Sequence, residues 1–274
     1  MPASFEDFIR ERRYLHNVSP RTIDWYQQSF SWLGKFALTE DGIKSFVIAM
    51  REAGLKATSC NSRIRVANAY FKWAALPLHI HKLKEEEEVL PTFSRKALDR
   101  LLAYRPNSWT EKRLLTIVCL LIDCGVRITE ALTVHRCDID MENLLVKVRG
   151  KGRKERVIPF SLQMRKRLYL WLKEHDFELV FPTRQGTELS RRDVLRKVKT
   201  LCSELGIEPP RRTLHAFRHT FGVEYIRAGG GEFRLQKMLG HTSLSQTRKY
   251  VELCTQDLQE THERVSLLNR CRKS

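Results

Sequence analysis

No apolar run in this sequence is long enough to cross a bilayer. The longest, around Leu114 to Ile122, falls far short of the roughly 20 residues that a spanning helix needs. The first residues, MPASFEDFIRERRY, lack the apolar stretch of a signal peptide, so a cytoplasmic protein with no membrane partner is expected. The 7 cysteines are odd in number and form no CxxC pair, which argues for reduced thiols and against a disulfide or zinc framework. HExxH is missing too, so the HxxxH spacing of His215 and His219 lacks the glutamate and the third ligand of a zinc site. The GKG at residues 150–152 lacks the spacing of a phosphate-binding loop, which argues against an ATPase. No internal repeat or low-complexity tract is present.

Acidic side chains are scarce relative to basic ones. Asp and Glu number 32 against 49 Lys and Arg, a formal net charge of +17. A field of that sign and size favours polyanions, and nucleic acid is the first partner to consider. A ribosome-associated or anionic-membrane-binding protein would share the same charge. The excess is uneven: residues 1–90 hold 13 basic and 11 acidic side chains, residues 91–274 hold 36 and 21. With 42% hydrophobic and 30% charged residues the chain has the composition of a globular protein with a proper core.

Residues 1 to about 83 read as helices. In NVSPRTIDWYQQSFSWLGKF, Ser19 is a good N-cap, and Pro20 suits the first helical position because the N–H it lacks has no helical partner there. Ile23, Tyr26, Phe30 and Leu33 recur at steps of three and four and form one apolar face. Further helices are expected from Gly42 to about Glu52 and from Ser59 to about Trp73. On the latter, Arg63, Arg65 and Lys72 face either phosphates or solvent. HKLKEEEEVLPT, a charge run ending at Pro91 before Ser94 caps a new helix, is the expected linker. It gives a helical domain over residues 1–84, a linker over 85–91 and a second domain over 92–274. The second domain starts with helices near Ser94–Tyr104 and Lys112–Cys124. Short β segments follow around Asp138–Asp140, Leu144–Val148 and Arg156–Pro159, the last two joined by the basic turn RGKGRKE, and helices then dominate. The expected fold is mostly α with a small antiparallel β-sheet, in two domains.

Four pieces of the second domain share one chemical theme: CGVRITEAL with Arg127, VRGKGRKERVIPF with Lys151, TLHAFRHTFG with His215 and Arg218, and LGHTSLSQTRKYVEL with His241 and Tyr250. These residue types suit phosphodiester transfer without a metal. Negative charge gathers on the non-bridging oxygens as a nucleophile attacks phosphorus, and guanidinium groups answer it with a planar, permanently charged fork. A tyrosine nucleophile forms a phosphotyrosyl ester that conserves the bond energy for a later exchange. Its hydroxyl has a pKa of about 10 and needs cationic neighbours or a base. The leaving 5′ oxygen needs a proton, which a lysine on a hairpin can supply, and histidines can hydrogen-bond the phosphate or shuttle protons.

The motifs GVRITEAL, GKGRKERVIPF, LHAFRHT and LGHTSLSQTRKY resemble, in order and spacing, those of the tyrosine recombinases, which include phage integrases, Xer-type resolvases and transposon recombinases. The resemblance spans the second domain, and the N-terminal helices resemble that family's core-binding domain. It implies that Arg127 and Arg218 clamp the phosphate, Lys151 is the general acid, His215 and His241 assist, and Tyr250 is the nucleophile. Glu130 resembles the acidic residue that orients the first arginine. The implied protein is a site-specific recombinase closing as a C-shaped clamp on double-stranded DNA and exchanging strands as a homo-tetramer through a Holliday junction. It would belong to a mobile element or a resolution system, with a bacterial, nucleoid-associated location, no cofactor, and with or without an accessory DNA-bending or directionality protein. Departures from the family pattern are Ala216, where an acidic residue is common, and the glycines Gly229 to Gly231, read as loosening a turn. Lys154 reads as a DNA-backbone contact, and His219 as a packed helix residue. The rival readings are a type IB topoisomerase and a catalytically silent DNA-binding regulator. Beyond Tyr250, Leu258, Val265 and Leu268 recur at near-helical spacing, an amphipathic tail expected to dock on a neighbouring protomer or on its own domain.

Overall fold

The computed structural model describes residues 4–85, 90–150, 155–241 and 243–253. The chain divides into two compact units, Met1–Glu88 and Val89–Ser274. In the first, α1 (Phe5–Tyr14), α2 (Pro20–Leu33) and α3 (Glu40–Glu52) each begin where a side chain takes a free helical N–H. Ser4, Ser19 and Thr39 accept from the backbone N–H of Asp7, Thr22 and Gly42, each cap contributing about 1 kcal/mol. The Thr39 cap starts α3 two residues ahead of the expected Gly42, and α4 (Ala57–Trp73) likewise starts ahead of Ser59. These helices close on an aromatic core in which Phe8, Phe46 and Phe71 are fully buried and the Phe5 and Phe30 rings stack 4.4 Å apart. Ile23, Phe30 and Leu33 of the anticipated α2 face are buried, with Tyr26 packed at the edge. The guanidinium heads of Arg63 and Arg65 lie over the rings of Trp32 and Trp25, 5.8 Å from each ring centroid.

The second unit is built around α6 (Trp109–Cys124), whose residues Arg113 to Leu121 are all buried. A helix apolar on nearly every side belongs at a domain centre, which is where the longest apolar run of the sequence goes. It begins three residues before the expected Lys112, because Ser108 caps it by accepting from the Glu111 N–H. Packed with it are α5 (Arg95–Ala103), the short α7 (Ile128–Leu132), α8 (Leu162–Leu172), α9 (Arg191–Glu204) and α10 (Thr213–Arg227). Two further helices, α11 (Glu232–Leu239) and α12 (Leu244–Leu253), complete the unit. The molecule is mostly helical, and among the described residues the sheet is three-stranded and antiparallel, its strands neighbouring one another in chain order.

The strands are β1 (Ile139–Asp140), β2 (Leu145–Arg149) and β3 (Glu155–Pro159). β1 is shorter than expected because Arg136–Asp138 turn as a 3-10 helix, and β2 starts one residue late because Leu144 adopts a left-handed φ of 58°. In the β2–β3 register Val146 pairs with Ile158 and Val148 with Arg156. Cross-strand partners share a face, so Arg156 points to the same side as the buried Val146, Val148 and Ile158. The glycines after α10 form a defined turn, contrary to the loosening expected of them. Gly229 is left-handed with its N–H on the Ile226 carbonyl, and Gly230 donates to the Tyr225 carbonyl at 2.9 Å.

Candidate active site

Glu130 anchors the site. It sits in the first turn of α7, 2% exposed, and one carboxylate oxygen accepts the backbone N–H of Arg127, the N-cap, at 2.8 Å. The other accepts from Arg127 Nη1, also at 2.8 Å. Arg156 closes on the same carboxylate from β3, donating through Nη1 and Nη2 at 2.8 and 2.7 Å, while its Nε donates to the Met238 carbonyl at the end of α11. Burial by itself would raise the Glu130 carboxyl. The hydrogen bonds and charge of Arg156 and Arg127 outweigh it and hold the group at about 2. The result is a carboxylate ionised at neutral pH with two guanidinium partners, which fixes the direction of Arg127 and ties strand β3 to α7 and α11.

α10 contributes the next group. His215, Arg218, His219 and Gly222 fall at steps of three and four along this helix and so share one stripe of its surface. Arg218 is 4% exposed, and two of its N–H groups donate to the carbonyls of Gly125 and Leu239, the former at 2.8 Å. Burial and the nearby Arg127 charge lower the guanidinium to about 10, which leaves it charged at neutral pH. Gly125 is needed twice over. It ends α6 in the left-handed conformation, and a Cβ there would meet the Phe221 ring at 2.2 Å. This explains the glycine of the CGVR motif: its carbonyl holds one arginine and its turn delivers the other.

Tyr250, on α12, is 2% exposed and packs with Val223, Leu235 and Leu239. Its ring lies on α10 at Gly222, where a Cβ would come within 2.8 Å of the ring carbons. Its hydroxyl is 3.1 Å from His219 Nδ1. The His241 ring lies nearly parallel to it, 6.1 Å away centroid to centroid, with Nδ1 3.0 Å from the Thr247 hydroxyl. Burial raises the tyrosine's pKa, and the charges of Arg218 and Arg127 oppose the rise. Burial is also the leading reason that His215, His219 and His241 are all lowered, the last two to about 4, with surrounding arginines adding to it. All three imidazoles are therefore neutral at pH 7.

Of the six residues singled out by motif, the structure brings Arg127, His215, Arg218, His241 and Tyr250 into one neighbourhood, in which Arg127 and Arg218 act electrostatically on His215, His241 and Tyr250. Lys151, and Lys154 on the same turn, lie outside the described residues. Ala216 is fully buried in the main core. Sequence reasoning missed Arg156, although ERVIP carries the signal: period-2 alternation places Arg156 on the inward face with Ile158. It favoured packing over catalysis for His219, to which the structure gives the tyrosine hydroxyl as a polar partner.

Residues 91–256 match the phage integrase family. Tyrosine recombinase XerA of Thermococcus kodakarensis is 29% identical over 269 residues, covering 93% of both chains. Tyrosine recombinase XerD of Proteus mirabilis is 23% identical, covering 86% of this chain and 80% of its own. Among solved structures, the Tn1549 transposon integrase in complex with a circular intermediate DNA superposes with a TM-score of 0.75 at 19% identity, over 90% of this chain and 94% of that one. The XerH recombinase bound to its palindromic difH substrate gives 0.71 at 17% identity, over 95% and 84%; both likenesses speak to the fold. The chain belongs to the phage integrase family, the tyrosine recombinases that cleave and religate DNA.

Proposed function

We propose that Tyr250 is the nucleophile of a site-specific recombination reaction, served by Arg127, Lys151, His215, Arg218 and His241. The observation that carries this reading is the burial of the Tyr250 hydroxyl in a pocket polarised by Arg127 and Arg218, assembled from motifs far apart in the chain. The Tyr250 oxygen attacks the scissile phosphorus, a 3′-phosphotyrosyl bond forms, and the bond to the 5′ oxygen breaks. Arg218, with donors left over from its two carbonyls, and Arg127, steered by Glu130, answer the charge on the non-bridging oxygens. His215 and His241, being neutral, donate hydrogen bonds to the phosphate, and Lys151 protonates the leaving oxygen. A 5′-hydroxyl from the partner strand reverses the step. Because Tyr250 is 2% exposed, engaging DNA requires the cover over its ring to open.

The first unit would serve as the core-binding domain, and together the units would grip duplex DNA as a clamp. Four protomers would carry two sites through a Holliday junction, in a cytoplasmic, nucleoid-associated setting of a mobile element, with or without a DNA-bending or directionality helper. The tail beyond Leu253, which lies outside the described residues, would dock on a neighbouring protomer and couple active sites. No helix among the described residues is long and apolar enough to cross a membrane.

The test starts by trapping the protein on genomic DNA and mapping the covalently held ends, which defines the site. A nicked suicide duplex of that site then yields an SDS-resistant complex with the wild type and none with Tyr250→Phe. An adduct on Tyr225 or Tyr169 overturns the assignment. Relaxation of a supercoiled plasmid lacking the site would move the reading to a type IB topoisomerase.

A further inference from the structure

The stripe of α10 that faces Tyr250 carries one more imidazole than the proposed reaction uses. His215 and Arg218 have roles there, and Gly222 leaves room for the tyrosine ring. Between them His219 places Nδ1 3.1 Å from the hydroxyl, with the two rings 6.0 Å apart and inclined by 42°. The separation of ring nitrogen and hydroxyl oxygen is a hydrogen-bond distance.

The chemistry of the pocket decides which way that bond runs. A phenol about to attack phosphorus must direct its proton away from the phosphate, and so needs an acceptor. Arg127 and Arg218, whose charges reach the tyrosine, are donors only. His241 turns its Nδ1 to the Thr247 hydroxyl. His219 Nδ1 is therefore the acceptor at hand among the described residues. We propose that His219 is a positioning residue for the nucleophile: its Nδ1 accepts the Tyr250 hydrogen bond and so sets where the oxygen's lone pair points.

This inference rests on the reading of Tyr250 as nucleophile. It has independent electrostatic support. Burial holds His219 at about 4, and His215 and Arg218 on its own helix, Arg212 before it and Lys249 on α12 all push the same way. The imidazole is thus uncharged at neutral pH and carries a single N–H; the tautomer with that proton on Nε2 leaves the Nδ1 lone pair available to accept. Gly222 and His219 together make α10 a seat for the tyrosine, the glycine setting the ring's depth and the histidine its rotation.

The experiment is single-turnover cleavage of the suicide duplex by the full-length protein at saturating DNA, with DNA affinity measured separately. Asparagine places its side-chain oxygen near the position of Nδ1, whereas glutamine reaches the position of Nε2 and leucine supplies no acceptor. His219→Asn should cleave within roughly threefold of the wild type, while His219→Gln and His219→Leu slow by roughly ten- to hundredfold, as expected for a misdirected nucleophile. DNA affinity should be unchanged in all three. If His219→Leu fails to fold, the comparison of asparagine with glutamine still decides, because both are polar and differ in reach. Equal rates in every variant, equal impairment of asparagine and glutamine, or rescue by glutamine alone overturns the role of His219 while leaving Tyr250 as nucleophile. A wild type that forms no adduct at Tyr250 overturns both.

Discussion

Replacing Arg156 with methionine keeps a long apolar stem on the inner face of the sheet and removes two of the charge-assisted bonds to Glu130. The carboxylate then stays buried with Arg127 as its remaining guanidinium. Glu130 is held at about 2, against 4.5 for the ordinary group, and by linkage its ionised form, net of the cost of burial, stabilises the fold by about 3 kcal/mol at neutral pH. Stripping one partner from a buried ion pair costs about 3 kcal/mol or more on independent grounds, because the charge left behind is uncompensated. Urea unfolding of the wild type, Arg156→Met, Glu130→Gln and the double variant at pH 7 forms a cycle that isolates the pair. The expected coupling is about 2 to 3 kcal/mol. The pH dependence has a fixed sign. The folded pKa lies below the unfolded one, so this stabilisation is complete above about pH 4.5 and is lost as pH falls towards 2. The stability gap between wild type and Arg156→Met should therefore narrow on acidification through that window. A coupling below about 1 kcal/mol, the range of exposed pairs, or a gap indifferent to pH, would refute the account. So would full cleavage activity in Arg156→Met, because Glu130 then would not depend on it to steer Arg127.

Two further outcomes follow from the same geometry. Gly222→Ala puts a methyl 2.8 Å from the Tyr250 ring carbons, so the ring must shift; cleavage should drop by roughly tenfold or more with DNA affinity retained, and an unchanged single-turnover rate would show that the ring does not react from this seat. Lys151→Ala should recover cleavage on a 5′-bridging phosphorothiolate, whose thiolate leaves without a proton, whereas Arg127→Ala should not; recovery by Lys154→Ala instead would move the general acid three residues along the turn.

The sequence by itself determined the helical elements, the small hairpin and the chemical theme, because these are local properties. Ser19 and Pro20 announce α2, and spacing at three and four marks its buried face. The motif residues are legible because four short motifs resemble, in order and spacing, those of the tyrosine recombinases. Element boundaries slipped where capping geometry intervened, as at Ser108, or where a left-handed residue such as Leu144 delayed the start of a strand. Only the tertiary structure decided what surrounds those residues. Arg156 becomes part of the site because the β2–β3 register turns it inward onto a carboxylate 26 residues away. His219 becomes the partner of Tyr250 because α12 packs its ring on Gly222, 28 positions earlier in sequence and one helical turn beyond the imidazole. Burial then sets the protonation of all three histidines, and Arg156 and Arg127 set that of Glu130 against its burial; both depend on what packs against a side chain, which no local pattern of residues records.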